Sequence, residues 1–185
     1  DVDKGDDGGR TPLIGAARHA AAEMVILLIE HGAAVNRMTE LGETALVMAS
    51  GAGSAGAVKA LLDAKADPNL GDDGNGRNAL QLASICGYPE IARLLIASGA
   101  KIAAAGSCGE TSLQLARYYG NGDVAEILEK SGAPADKAKK IDRSAAAFGK
   151  IGDEEAVIWF LGHSGWAIKT KNHFLVFDYW PNGAR

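Results

Sequence analysis

The sequence has few cysteines and no long apolar run. Two cysteines among 185 residues cannot build a disulfide-stapled scaffold. The longest wholly aliphatic run, residues 24–29, is too short to cross a bilayer, so we expect no membrane partner. Nineteen basic against twenty-three acidic residues give a net charge of −4, which argues against a nucleic-acid binder. The sequence shows no signal-peptide pattern from which a compartment can be inferred.

Aromatic residues are scarce before residue 148. Only three of them, Tyr88, Tyr118 and Tyr119, precede that position, and the other eight lie at Phe148 or after it. The charge changes as well, because residues 1–135 carry 11 basic and 17 acidic residues whereas residues 136–185 carry 8 and 6. This shift in both properties near residue 136 indicates two differently built segments.

The first segment contains four copies of one sequence unit. The units begin near Gly9, Gly42, Gly76 and Gly109, at spacings of 33, 34 and 33 residues. The extra residue falls in the loop 70–75, where an insertion costs little free energy. Four units in one register indicate a stacked repeat array.

Each unit predicts a helix, a turn, a second helix and an extended hairpin. A side chain that can cap an unpaired N–H group stands where each first helix begins. These residues are Thr11, Thr44, Asn78 and Thr111. Each second helix carries an apolar pair such as Leu94 and Leu95, and we expect Leu94 to be buried between repeats. After the second helix, glycine stands at positions 32, 99 and 132, where the helix end needs a left-handed cap. Lys65 replaces this glycine in the second unit.

The period, the Thr-Pro-Leu at residues 11–13 and the Gly-Ala-Ala-Val-Asn at residues 32–36 resemble ankyrin repeats. The resemblance covers residues 1–134 and implies a mainly α solenoid of about four repeats, with residues 1–8 as the tail of an upstream repeat. The array is therefore expected to come from a longer one. The family's His after Thr-Pro-Leu is absent, so its hydrogen bonds to neighbouring loops must be replaced. The residues at that position are Ile14, Val47, Gln81 and Gln114.

By resemblance to the family, the concave face made by hairpin tips and inner helices is expected to bind a protein partner. Tyr, Arg and Met are common at interfaces, and we expect the centre at Tyr88, Tyr118 and Tyr119. The predicted binding residues are Arg10, Arg18, His19, Met38, Glu40, Glu43, Asp72, Asp73, Arg77, Ile85, Cys86, Tyr88, Glu110, Tyr118 and Tyr119. The alternative is ordinary surface, on which the equivalent residues Arg10, Glu43, Arg77 and Glu110 pair their alternating charges between adjacent repeats.

Three patterns in the array resemble chemical sites. Residues 51–56 match the dinucleotide-binding G-x-G-x-x-G, but the repeat register places them in a turn between two helices instead of between a strand and a helix. His19 and His31 have no further ligand at metal-binding spacing. Cys86 and Cys108 lack C-x-x-C spacing, which favours reduced thiols. We therefore predict no metal, cofactor or catalytic residue in the array.

The second segment has a different pattern. Residues 135–153 are polar and then alanine-rich, and we expect a linker or capping helix there. Residues 154–185 contain three short runs rich in β-branched and aromatic residues, and Asn172 in the last connection suits a tight hairpin. We predict an antiparallel β-meander whose free edges allow self-association.

Residues 156–180, which include FLGHSGWAIKTKNHFLVFDYW, resemble the opening strands of the metallo-β-lactamase fold, particularly its lactonase-like hydrolases. The resemblance implies that His163 lies at the rim of the metal site in a complete relative and that Asp178 supports its first loop. The family's His-x-His-x-Asp-His run is absent, and a catalytic site needs about three protein ligands. We therefore expect a fragment that is catalytically silent, with zinc or another divalent metal only in a complete parent. In the alternative, the array positions or regulates a metallo-hydrolase site that this chain only begins.

Overall fold

The computed structural model describes residues 1–106 and 109–134, together with the backbone of residues 157–160, 165–169 and 174–178. The chain divides into two compact units, Asp1–Asp136 and Lys137–Arg185. The predicted linker helix at residues 135–153 lies outside the described residues, as do Cys108 and His163.

The described part of the first unit is a stack of helix pairs. Each helix contacts its partner in the same repeat and the equivalent helix of the next repeat, so the odd-numbered helices form one layer and the even-numbered helices another. The predicted mainly helical repeat stack is therefore confirmed. The helices are α1 Pro12–Arg18, α2 Ala22–Glu30, α3 Ala45–Gly51, α4 Ala55–Asp63, α5 Ala79–Cys86, α6 Pro89–Ala97, α7 Ser112–Tyr118 and α8 Gly122–Lys130.

We call the odd-numbered helices the inner helices and the even-numbered ones the outer helices. A side-chain cap precedes every inner helix, as predicted. The Thr or Asn before α1, α3, α5 and α7 accepts a hydrogen bond from the backbone N–H three residues later. In α5 and α7 that later residue is a glutamine, and its own side chain accepts a hydrogen bond from the cap residue's N–H. The result is a capping box, which satisfies a second backbone donor at the helix start.

The core consists of leucine and alanine at equivalent positions in successive repeats. Leu61, Leu95 and Leu128 of the outer helices are completely buried. Small residues between the inner helices let these helices approach closely, and Ala49, Ala83 and Ala116 are fully buried there. The inner-helix leucines with 1% exposure are Leu13, Leu46, Leu80 and Leu113.

The expectation that Leu94 is buried between repeats is wrong. Leu94 is only partly buried, whereas Leu95 has no exposed surface. Adjacent residues of an α-helix point about 100° apart, so only one of the two can face the neighbouring repeat. Leu61 and Leu128, the residues equivalent to Leu95 in the neighbouring repeats, are also completely buried. The buried position of the pair is therefore that of Leu95.

The residue after each outer helix adopts a left-handed backbone conformation. Gly32, Gly99 and Gly132 have φ values of +82°, +90° and +84°, and Lys65 has +67° at the equivalent position. A second left-handed position, in the turn between the helices, is glycine in three repeats and Ala20 in the first, with a φ of +55°. A side chain in this conformation costs roughly 1–2 kcal/mol, so the first two repeats each carry a strain that the last two lack.

In the described part of the second unit, three strands form one antiparallel sheet. The strands are β1 Val157–Phe160, β2 Gly165–Lys169 and β3 Phe174–Asp178, in the spatial order β1-β2-β3. Phe160 pairs with Trp166 across the first two strands, and Trp166 pairs with Phe177 across the last two.

The two leucines of α6 provide a matched test of the repeat register. Leu95→Ala removes a fully buried side chain, and we expect it to lower the free energy of unfolding by about 2–4 kcal/mol. Leu94→Ala changes the same atoms at a partly exposed position and should cost about 1 kcal/mol or less. Urea unfolding followed by circular dichroism compares the two variants. Equal losses would show that the register is misplaced.

Candidate protein-interaction surface

The ends of the inner helices bring six of the predicted binding residues to equivalent positions. In the first, second and fourth repeats these are the last helical residue and the one that follows it, and in the third repeat they are the last two helical residues. The first, third and fourth repeats contribute Arg18 and His19, Ile85 and Cys86, and Tyr118 and Tyr119. Ile85 is half-buried and the other five are exposed, whereas the second repeat has only Gly51 and Ala52 at these positions. From the second repeat to the fourth, the side chains at these two positions become bulkier, ending in two tyrosines.

Tyr118 and Tyr119 form an exposed aromatic pair. Tyr118 is the last residue of α7 and Tyr119 is its C-cap. Their ring centroids lie 5.1 Å apart with the ring planes at 81°, which is the edge-to-face arrangement that aromatic pairs prefer. The two residues are 59% and 49% exposed. This pair therefore presents a large, ordered apolar surface to the solvent.

Tyr88 has a different role from the other two tyrosines. It is half-buried and packs against the edge of the core. A Cβ atom at Gly53 of the preceding repeat would lie 2.7 Å from its ring carbon Cζ, so the ring occupies the space that this glycine leaves. Tyr88 thus joins the second and third repeats. Of the three tyrosines predicted as the centre of the surface, the exposed ones are Tyr118 and Tyr119.

Glu43 is buried beneath two arginines of the preceding repeat. The residue is 6% exposed, and its carboxylate accepts a hydrogen bond of 2.5 Å from Arg18 and lies 3.8 Å from Arg10. A buried carboxylate is costly unless it is paired, and these arginines supply the pairing. Arg10 and Glu43 thus pair between adjacent repeats, as the ordinary-surface alternative predicts. The cluster joins the first two repeats and leaves Glu43 little surface to offer a partner.

Two of the predicted acidic residues shape a hairpin tip. The Asp72 carboxylate accepts a hydrogen bond of 2.7 Å from the Gly74 N–H, and the Asp73 carboxylate accepts one of 3.1 Å from the Arg77 N–H. Both residues are half-buried. These bonds give a defined shape to the loop that contains the extra residue. Both carboxylates therefore already accept hydrogen bonds from within the protein.

The preceding hairpin tip is more accessible. Met38 is 48% exposed and Glu40 is also exposed, as a binding role requires. The sequence interpretation missed Leu41 beside them, which is 65% exposed. The signal available in the sequence was an apolar residue between Glu40 at the tip and Gly42 in the turn.

Gln81 takes over the role expected of the missing histidine. Its side chain is completely buried, and its Nε2 donates a hydrogen bond of 2.7 Å to the Glu110 carbonyl oxygen of the next repeat. Its Oε1 accepts a hydrogen bond of 3.0 Å from the Asn78 N–H. One amide therefore connects its own helix start with the next hairpin, whereas the apolar Ile14 and Val47 are simply buried in the core.

Two asparagines that the sequence interpretation overlooked connect the hairpins. Asn36 Oδ1 accepts a hydrogen bond of 2.9 Å from the Asp67 N–H, and Asn69 Oδ1 accepts one of 2.8 Å from the Lys101 N–H. Their Nδ2 groups donate to the carbonyl oxygens of Lys65 and Gly99. Each bond pair crosses from one repeat to the next.

Burial raises the pKa of the Cys86 thiol, and the Arg77 guanidinium partly opposes this effect, so the thiol remains protonated at neutral pH. Within residues 1–106 and 109–134, no group of three or more His, Cys, Asp or Glu residues is placed to hold a metal ion. None of the described helices is long and apolar enough to cross a membrane.

An open groove of about 420 Å³ lies between the outer helices α6 and α8. Its walls carry Arg93 and Lys130 as well as Asp123 and Glu126. Lys130 donates a hydrogen bond to Glu126, and this bond lowers the pKa of that carboxyl group. Charges of both signs are therefore mixed in the groove, and they give it no preference for a charged ligand.

These features define a helical repeat protein with an exposed aromatic pair on its inner layer. The family model for ankyrin repeats, described as three copies, matches residues 1–72 and 58–140. The chain belongs to the ankyrin repeat family.

Relatives of known name share part of this chain. The human "Ankyrin repeat domain-containing protein 63" is 36% identical over 101 residues, which cover 52% of this chain and 26% of that protein. The Mus musculus protein of the same name gives the same figures. The "Transient receptor potential cation channel subfamily A member 1 homolog" of Caenorhabditis elegans is 35% identical over 106 residues, or 57% of this chain and 9% of that protein. The chain thus spans about a quarter or less of the length of these relatives.

The buried carboxylate of Glu43 gives a test of the contact between the first two repeats. Glu43→Gln removes the charge that holds Arg10 and Arg18, and we expect it to lower the free energy of unfolding by about 1–2 kcal/mol. Glu40→Gln, a neighbouring exposed position, is the control and should change stability by about 0.5 kcal/mol or less. Chemical denaturation measures both. A neutral effect of Glu43→Gln would mean that the cluster is not a structural contact.

Proposed function

We propose that this ankyrin array is a protein-binding module whose partner docks on the concave face formed by the hairpin tips and the inner helices. The observation that carries the proposal is the exposed pair Tyr118 and Tyr119. Tyrosine is enriched among the residues that dominate binding energies, because one side chain combines a large apolar area with a hydrogen-bonding hydroxyl. Two rings already held edge to face lose little conformational freedom when a partner covers them.

The other exposed residues of this face extend the proposed contact area. His19 and Cys86 occupy the position equivalent to Tyr119 in their own repeats, and Met38 and Leu41 lie on a hairpin tip. Glu43, Asp72 and Asp73 bind groups within the array, so we assign them a supporting role. The partner is therefore expected to gain most of its affinity from apolar contacts near the fourth repeat, with polar contacts at the rim.

Replacement of both tyrosines tests this proposal. Peptides selected from a displayed random library against the full chain provide probes, and their Kd values are measured by calorimetry. We expect Tyr118→Ala with Tyr119→Ala to weaken most selected peptides at least tenfold, which corresponds to about 1.4 kcal/mol. The control replaces two exposed outer-helix residues, Lys59→Ala with Arg93→Ala, and should leave Kd unchanged. If the selected peptides respond to the control and ignore the tyrosines, the concave face is not the preferred surface.

We also propose, from the resemblance to lactonase-like hydrolases, that residues 154–185 begin a metallo-β-lactamase-like domain of a larger protein. The supporting observation is a three-stranded antiparallel sheet with Leu-Gly-His-Ser between β1 and β2. The metal ligands would come from outside this chain, and the array would position or regulate the hydrolase. Self-association through the strand edges also stays a prediction. The test is the coding sequence after Arg185: a His-x-His-x-Asp-His run within one domain length supports the proposal, and its absence refutes it.

A further inference from the structure

The side of the first repeat that faces away from the second repeat is apolar, and no described residue of the repeat array covers it. We call it the N-terminal face; it comprises Pro12 and Ala16 of α1 with Met24 and Leu28 of α2. Met24 is 48% exposed, Pro12 is exposed, and Ala16 and Leu28 are half-buried. Four apolar residues at one end of a stack are costly to leave in water, which makes this face a candidate interface.

The equivalent residues of the later repeats are all buried. Each is at most 1% exposed, whether the residue is large or small. These positions are covered only in the repeats that have a predecessor, so the preceding repeat is what covers them. The equivalents are Ala45, Ala79 and Ser112 for Pro12; Ala49, Ala83 and Ala116 for Ala16; Ala57, Ile91 and Val124 for Met24; and Leu61, Leu95 and Leu128 for Leu28.

The opposite side of the fourth repeat has a different composition. Arg117 stands where the three earlier repeats bury Ala17, Ser50 and Ser84, and Glu129 stands where they carry an aliphatic residue. The Arg117 and Glu129 side chains form an ion pair of 2.8 Å. Terminal repeats of a solenoid need a polar outer face, and the fourth repeat meets this requirement. The first repeat does not meet it.

The residues ahead of the first repeat already follow the register of an additional one. The Asp3 carboxylate accepts a hydrogen bond of 3.0 Å from the Ala34 N–H, 31 residues later. Asn36 makes the same bond to Asp67, and Asn69 makes it to Lys101. Residues 1–9 therefore occupy the place of the hairpin that follows a preceding helix pair.

We propose that the N-terminal face is the interface for one further ankyrin-type helix pair, joined in register ahead of Asp1 in the same polypeptide. The three interfaces between the repeats of this array supply the pattern, because the proposed contact continues them with the same apolar positions. A second copy of the chain is a poorer occupant. Head-to-tail stacking would place the polar Arg117 and Glu129 against Met24 and Leu28, which would bury charged groups on an apolar surface.

A graft onto the full chain tests the proposal directly. Residues 43–66, the helix pair of the second repeat, are duplicated immediately before Asp1, which preserves the 33-residue spacing. We expect the graft to lower the unfolding equilibrium constant at least about tenfold, because the added pair buries the N-terminal face. Met24→Lys should abolish this gain, since it places a charge in the new interface, and it should have little effect on the ungrafted chain, where Met24 is exposed.

Ile26→Lys in the same helix is the matched control. Ile26 is 42% exposed, but its equivalents are the exposed residues Lys59, Arg93 and Glu126, so it lies outside the N-terminal face. The grafted chain with this change should keep its gain. The proposal is overturned if the graft gives no gain or if the two lysine variants lose it equally. It is also overturned if sedimentation shows a dimer of the ungrafted chain that Met24→Lys dissociates, because the occupant would then be a second copy.

Discussion

The contact of each helix pair with the next is the interaction on which the rest of the array depends. A single repeat of about 33 residues has no interior of its own, so its leucines become buried only when a neighbour is stacked on them. Leu61, Leu95 and Leu128 are completely covered in this way, and small alanines between the inner helices allow the close approach. The burial of these leucines and alanines therefore follows from the stacking.

Each of the three contacts between repeats contains a different kind of side-chain interaction. The first contact contains the buried Glu43 with two arginines, and the third contains the Gln81 amide, which donates to the next hairpin. The second relies on the ring of Tyr88, which fills the space beside Gly53. In the third contact, the Gln81 side chain satisfies a backbone carbonyl of the next repeat, which is the role expected of the family's missing histidine. We infer that the contacts differ in strength, because a buried ion pair, an amide bond and aromatic packing have different energies.

The stack also explains why the proposed binding surface lies where it does. Side chains that serve the contact between repeats have little surface left for a partner, and this applies to Glu43 and Tyr88. Tyr118 and Tyr119 lie at the C-terminal end of α7, where their rings pack on each other and stay exposed. The rigid array holds them in one geometry, which reduces the entropy that a partner would lose on binding.

The sequence by itself determined the local features. The period, the caps at Thr11, Thr44, Asn78 and Thr111 and the left-handed position at Lys65 could all be predicted, because each depends on residues that are close together in the chain. Only the tertiary structure decided that Leu95 and not Leu94 is buried, that Tyr88 packs between repeats, and that Arg10 and Arg18 share one carboxylate. These outcomes depend on which side of each helix meets a neighbour some 33 residues away, and the pattern within one repeat does not contain that information.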